Sequence, residues 1–141
     1  MRYHFKIHKE KSGFWAECLE IPSCVTQGDS KEELFSNMQE AINICLEEPQ
    51  ESKYLAPLPN EKIELSSSVV EVSVDPAIAL AFNIRYNRIK QGLTQKEAAK
   101  HLGMKNLFSY QRLEKRCNAT FSLIVKLMEL FPKLSLDRVC R

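Results

Sequence analysis

Residues 93–116 read Leu93-Thr94-Gln95-Lys96-Glu97-Ala98-Ala99-Lys100-His101-Leu102-Gly103-Met104-Lys105-Asn106-Leu107-Phe108-Ser109-Tyr110-Gln111-Arg112-Leu113-Glu114-Lys115-Arg116. Thr94 and Glu97 have the spacing of a capping box, in which each side chain satisfies the other residue's backbone N–H at a helix start. Leu93 and Ala98 are spaced for a hydrophobic staple across that start. Ala98-Ala99 keeps one side of the helix thin, so a second helix can approach closely. Gly103 supplies the positive φ that ends a helix. A second helix, rich in polar side chains, begins about three residues later.

A short helix, a glycine turn and a polar helix predict a helix-turn-helix, whose second helix lies in the DNA major groove while the first spans the backbone. Working outward, Asp75-Pro76 reads as an N-cap followed by proline at the first helical position. The periodicity after it predicts helices over 76–91, 95–102, 106–115 and 121–131, with no strand pattern. Residues 76–141 carry 13 basic and 4 acidic side chains, a net of +9. Residues 1–75 carry 7 basic and 14 acidic ones, a net of −7. The overall +2 therefore conceals two modules suited to different partners, the basic one a candidate for nucleic acid.

The acidic half has a different period. From Arg2 to Lys9 apolar and polar residues alternate, with Tyr3, Phe5 and Ile7 opposite His4, Lys6 and His8, which predicts a half-buried strand. Ser12-Gly13 marks a turn, and Phe14 to Glu20 reads as the second strand of a hairpin. Cys24 to Gln27 is a short third strand, closed by Gly28-Asp29. Ser30 and Glu33 form another capping box, and the helix after it is expected to bury Leu34, Met38, Ala41, Ile42 and Cys45 and to stop before Pro49. Residues 49–60 read as an extended loop and Val69 to Val74 as a strand. The expected fold is α+β: a β-β-β-α-β module over 1–75, then an all-α helix-turn-helix domain over 76–141.

The 141 residues suit one ordinary domain or two small ones, and a composition of 44% hydrophobic and 27% charged residues excludes a disordered tail or collagen-like repeat. No run without a charged side chain exceeds nine residues (Cys117 to Val125), well short of a ~20-residue span, so no membrane association is expected. The first residues carry no signal-peptide core, and a cytoplasmic location is the expectation. Cys18, Cys24, Cys45, Cys117 and Cys140 are odd in number and scattered, with no C-x-x-C pair, so reduced thiols are expected and neither a metal nor a cofactor.

Two resemblances give these modules identities. Arg88-x5-Thr94-Gln95-x2-Ala98-Ala99-x2-Leu102-Gly103, followed by Arg112-Leu113-Glu114-Lys115, resembles the phage-repressor-like helix-turn-helix domain of the Cro and XRE type. That resemblance covers about 60 residues. It implies a phosphate contact at Gln95 and base-reading positions at Lys105, Asn106, Ser109 and Gln111; Arg112, Lys115 and, as a departure from the family pattern, Arg116 are further expected DNA-binding cations. It also implies a structural pair between Arg88 and Glu114. Gly103 to Glu114 is one residue longer than is usual in that family, and Arg116 stands where many members have glycine. In the other half, Tyr3-x-Phe5-x-Ile7, Gly13-Phe14-Trp15-Ala16-Glu17 and Ile21-Pro22-Ser23-Cys24-Val25-Thr26-Gln27-Gly28-Asp29-Ser30 with Glu33, then Glu40-Ala41-Ile42, resemble the HicB antitoxin family. That likeness implies a partial RNase-H-like sheet and helix. It also implies a partner, a small, basic, RNA-cleaving HicA-like toxin masked by occlusion.

An RNase-H-type site would need several carboxylates converging on two metals roughly 4 Å apart. Only Glu17 lies well inside a predicted strand, and His4 and His8 are about 13 Å apart at ~3.3 Å per residue, so no catalysis is expected. Trp15, the single tryptophan, suits either the core or an interface anchor. With Glu17, Glu20 and Asp29 it forms the candidate toxin-binding set. The sequence thus leads to an antitoxin that neutralises a HicA-like toxin and represses its own operon by binding operator double-stranded DNA, as a homodimer or higher oligomer. The rival is a helix-turn-helix repressor whose first module senses a ligand or only dimerises.

Overall fold

The structure, a computed structural model, describes residues 1–47 and 54–141. The loop expected over 49–60 lies inside this range only from Tyr54 onward. The described chain forms two compact units, Met1–Leu46 with Tyr54–Asp75, and Glu47 with Pro76–Arg141. It is a mixed α+β protein with one four-stranded antiparallel sheet and six helices among the described residues. None of those helices is long and apolar enough to cross a membrane.

The first unit runs β1 (Arg2–Lys9), β2 (Phe14–Cys18), β3 (Val25–Gly28), α1 (Lys31–Leu46) and β4 (Val69–Ser73), in sheet order β3-β2-β1-β4. Directly opposed residues share a face of an antiparallel sheet. The pairs Phe5–Cys18, Ile7–Ala16 and Tyr3–Val72 therefore put the alternating apolar set on one side. Tyr3, Phe5, Ala16, Cys18 and Val72 are buried there, as are Leu34, Met38, Ile42 and Leu46 of α1. Truncating Leu34 or Ile42 to alanine would cost ~2–5 kcal/mol. Ala41 and Cys45, expected in this core, are only half-buried, and Leu46 takes the last inward position.

Two glycines fix the connections. Gly13 turns the β1–β2 hairpin at φ +91°, where its carbonyl accepts from the Glu10 N–H at 3.1 Å. A Cβ on Gly28 would stand 2.6 Å from the Leu34 nitrogen, so only glycine lets the end of β3 abut the first turn of α1. The cap of α1 differs from its expected form. Ser30 Oγ accepts from the Glu33 N–H at 3.1 Å, but the Glu33 carboxylate reaches past Ser30 to the Asp29 N–H at 2.9 Å. Alternation also misplaces His4 on the wet face. His4 is 4% exposed, because the Glu20 carboxylate folds over it.

The second unit is built on α2 (Pro76–Lys90), whose Ile78, Ala79, Phe82 and Ile84 are buried together with Asn83, Arg85 and Asn87. Asn83 and Asn87 turn their amide nitrogens back along the helix, donating to the Ala79 and Asn83 carbonyls at 2.8 and 2.7 Å. The other helices are α3 (Gln95–His101), α4 (Leu107–Leu113), α5 (Phe121–Leu130) and α6 (Leu136–Cys140). Helix α6 corrects the four-helix reading. Ser135 caps it by accepting from the Arg138 N–H at 3.2 Å, Val139 is buried, and it packs on α2.

Candidate nucleic-acid interface

Helix α3 starts and stops on local chemistry. Thr94 Oγ1 accepts from the Glu97 N–H at 3.1 Å, and Glu97 accepts from the Thr94 N–H at 3.3 Å, so both halves of the capping box are made. At the other end Gly103 adopts φ +69°. The Gly103 N–H donates to the Lys100 carbonyl at 3.1 Å and the Met104 N–H to the Ala99 carbonyl at 2.9 Å. This paired bonding is the Schellman stop, which needs a residue tolerant of positive φ. Asn106 then caps α4, its Oδ1 accepting from the Ser109 N–H at 2.8 Å. The turn between the helices is thus fixed at both ends, while Ala98, Ala99 and Tyr110 are buried beside it.

Glu114, just past α4, is the hub of a buried polar network. Its carboxylate accepts from Arg88 Nη2 at 3.2 Å, Gln95 Nε2 at 2.9 Å and the Tyr110 hydroxyl at 2.8 Å. Arg88 also donates through Nε to Glu114 and through Nη1 to the Leu93 carbonyl at 2.9 Å. One guanidinium therefore ties α2 to both flanks of the α3–α4 pair. Burial alone would lower the Arg88 pKa, but hydrogen bonding and the charge of Glu114 raise it above the ordinary value. Burial, reinforced by the Glu114 charge, pushes the Tyr110 hydroxyl strongly upward, so it remains a donor.

This network decides the fate of several residues expected at DNA. Gln95 gives its amide nitrogen to Glu114, and its oxygen accepts from Gln111 Nε2 at 3.2 Å, so both glutamines are engaged inside the unit. The Asn106 side chain is occupied as a cap. Lys105, Ser109, Arg112 and Lys115 remain exposed. Arg116 is exposed too and donates to the Glu47 carboxylate at 2.7 Å within the second unit. Beside α4, an open groove of about 860 Å³ is lined by Lys96, Lys100 and Lys105, with Ala99, Met104 and Leu107 in its walls.

Two contributors escaped the sequence reading. Tyr110 supplies a donor to Glu114 from one turn upstream, and the i,i+4 spacing of the two was the available signal. Phe108 stands 64% exposed on the outer side of α4, with the Arg112 guanidinium carbon 5.7 Å from its ring centroid.

The acidic candidates of the first unit divide. Trp15 stacks on His8 with ring centroids 4.0 Å apart at 12°, and Trp15 and Asp29 line one cleft of about 460 Å³ with Glu10, Phe14 and Thr26. Glu17 lies beside them on β2, its carboxylate 3.6 Å from His8 Nε2. Glu20 does not belong to this surface. Its side chain is 4% exposed and accepts from the His4 N–H at 3.0 Å, His4 Nδ1 at 2.6 Å and the Asn60 N–H at 3.2 Å. A carboxylate so enclosed is a structural anchor, set apart from the exposed surface of the cleft.

Among the described residues, no three His, Cys, Asp or Glu side chains gather as a metal-ligating group. All five cysteines are free thiols. Burial pushes Cys18 up to about 12 and Cys117 up to about 11, and a hydrogen bond to Cys45 together with burial raises Cys24 further. No protein-family model matches the chain, and no curated protein matches its sequence.

Proposed function

We propose that the second unit is a helix-turn-helix that binds double-stranded DNA, with α4 as its recognition helix. The observation that carries this reading is the division of labour on α4. Its inner residues Tyr110 and Gln111, with Glu114 behind them, are joined in one polar network, while Ser109 and Arg112 on the helix and Lys105 and Lys115 just beyond its ends are exposed, in a stretch (residues 76–141) of net charge +9. A rigid inner side and a basic outer side are what major-groove reading requires. The motif residues that resemble the phage-repressor domain are the same ones that build this turn.

The first unit, on this proposal, is a HicB-like antitoxin module of partial RNase-H-like design, and the whole chain a cytoplasmic antitoxin that represses its own operon. The net charge of −7 over residues 1–75 suits a basic HicA-like toxin, steered by charge and held by a few desolvated contacts. The cleft that brings Trp15 and Asp29 together is the contact this reading assigns. Neutralisation is by covering the toxin's RNA-binding face and calls on no catalytic residue of this chain. Operator binding through two-fold related sites makes the working form at least a homodimer.

Co-expression with a small basic protein encoded beside the gene tests the reading. Joint purification and relief of that protein's toxicity are expected. Failure of both leaves the repressor whose first unit senses a ligand or only dimerises.

A further inference from the structure

Phe108 and Arg112 stand one helical turn apart on the outward side of α4. The ring is 64% exposed, Leu107 beside it is 40% exposed, and the guanidinium carbon lies 5.7 Å from the ring centroid. A lone exposed aromatic carries little information. Its surroundings carry more, because Arg112 lies over this ring and exposed Lys105, Ser109 and Lys115 are within seven residues of it in the chain. Those cations select a polyanion as the occupant of this face. A duplex major groove presents one apolar group to a reader, the C5 methyl of thymine, and presents guanine O6 and N7 as the acceptor pair matched to arginine.

We propose that Phe108 reads a thymine methyl in the duplex bound by α4, and that Arg112, oriented by the ring beneath it, reads a guanine close by. Four residues advance about 6 Å along a helix. Base pairs rise about 3.4 Å, so the guanine lies within roughly two base pairs of the thymine. This specificity element rests on the DNA-binding reading above, and it assigns recognition to a residue that the motif comparison leaves out.

The test uses the full chain and 20-base-pair duplexes selected from a randomised pool. Each thymine of the selected sequence is replaced singly by deoxyuridine, which deletes the methyl and nothing else. Wild type should lose about fourfold in affinity at one position per half-site, the worth of one buried methyl group. Phe108→Ala and Phe108→Gln should bind thymine and uracil duplexes equally, with the preference for guanine at Arg112's position weakened. Uniform indifference to uracil in wild type, or an unchanged methyl dependence in both variants, overturns the Phe108 assignment and leaves DNA binding standing. Enrichment of no duplex at all, or capture of α4's outer side by an acidic protein in place of DNA, overturns the DNA reading with it.

Discussion

The Arg88 guanidinium grips the Glu114 carboxylate through two nitrogens, Nε at 2.5 Å and Nη2 at 3.2 Å, across 26 residues of chain. The Glu114 side chain is 2% exposed, so the pair sits where removal of one partner strands the other. Glu114→Ala should destabilise the second unit by ~3–5 kcal/mol in urea unfolding, because Arg88, Gln95 and Tyr110 all lose their acceptor. Arg88→Lys should rescue little, since an ammonium cannot serve Glu114 twice and the Leu93 carbonyl as well. A loss below ~1 kcal/mol for Glu114→Ala would show the network to be incidental.

Exposed cations on α4 and just past its end should divide by role. Arg112→Ala should cost ~1–3 kcal/mol against the preferred duplex and relax preference at one base pair. Lys115→Ala should weaken every duplex alike and reduce the log–log salt slope by about 0.9. Fluorescence anisotropy over 50–200 mM salt distinguishes the two. Equal effects of both changes on all sequences would mean that α4 is not reading bases.

Asn106 separates a cap from a base contact. Asn106→Ala should lower stability by ~1 kcal/mol, and Asn106→Ser, which still caps, should recover most of it. Duplex preference should follow stability in this series. If Asn106→Ser restores stability but erases preference, the side chain leaves its cap to read DNA.

In the first unit, Trp15→Ala and Asp29→Lys should abolish capture of the basic partner while thermal unfolding stays near wild type, since Asp29 is exposed and Trp15 half-buried. Glu20→Ala should behave in the opposite way. It removes the acceptor for the buried His4 N–H and should cost ~1–3 kcal/mol for that stranded group, while the exposed Asn60 N–H can turn to water. Calorimetry and pull-down on the same variants check the contrast. A stable Glu20→Ala protein that no longer binds would return Glu20 to the contact surface.

Alkaline pH should weaken the fold in steps whose sign follows from the raised groups. Cys117 is held protonated up to about 11 and Cys18 up to about 12, against an ordinary thiol value of 9.0. Above pH 9 the folded chain therefore holds more protons than the unfolded one, and stability present below pH 9 is lost as pH rises. Tyr110, also raised, adds to the loss above about pH 10. At pH 8 the exposed Cys140 should react first with a disulfide reagent, with Cys18 and Cys117 protected until unfolding. Flat stability from pH 8 to 11 would contradict this.

Much of the architecture was legible because local chemistry marks it. Thr94 with Glu97, Gly103, Pro76 and the alternation from Arg2 to Lys9 each set an element by near-neighbour effects that periodicity and caps encode. Helix α6 was not legible, since five residues are too few for a period and Ser135 has no Glu or Gln three residues on. His4 went wrong for a different reason. Alternation assigns a face, but what covers that face is decided by Glu20 and by Asn60, which is 40 residues further along the chain. The same limit applies at the candidate interface. Asn, Gln and Lys look equally available in sequence, and only the Glu114 network and the Asn106 cap show which polar side chains are already occupied.

The packing of α6 on α2 has a consequence for synthesis on the ribosome. It joins the first and last helices of the second unit, so that unit cannot close until residue 140 has been made. The sheet unit needs nothing beyond Asp75. At ~5–20 residues per second, the intervening 65 residues take roughly 3–13 s, time enough for one unit to be complete and accessible while the other is still unfinished. A nascent chain thus presents its acidic module before its basic one is competent, and the two charges of opposite sign come into play in sequence.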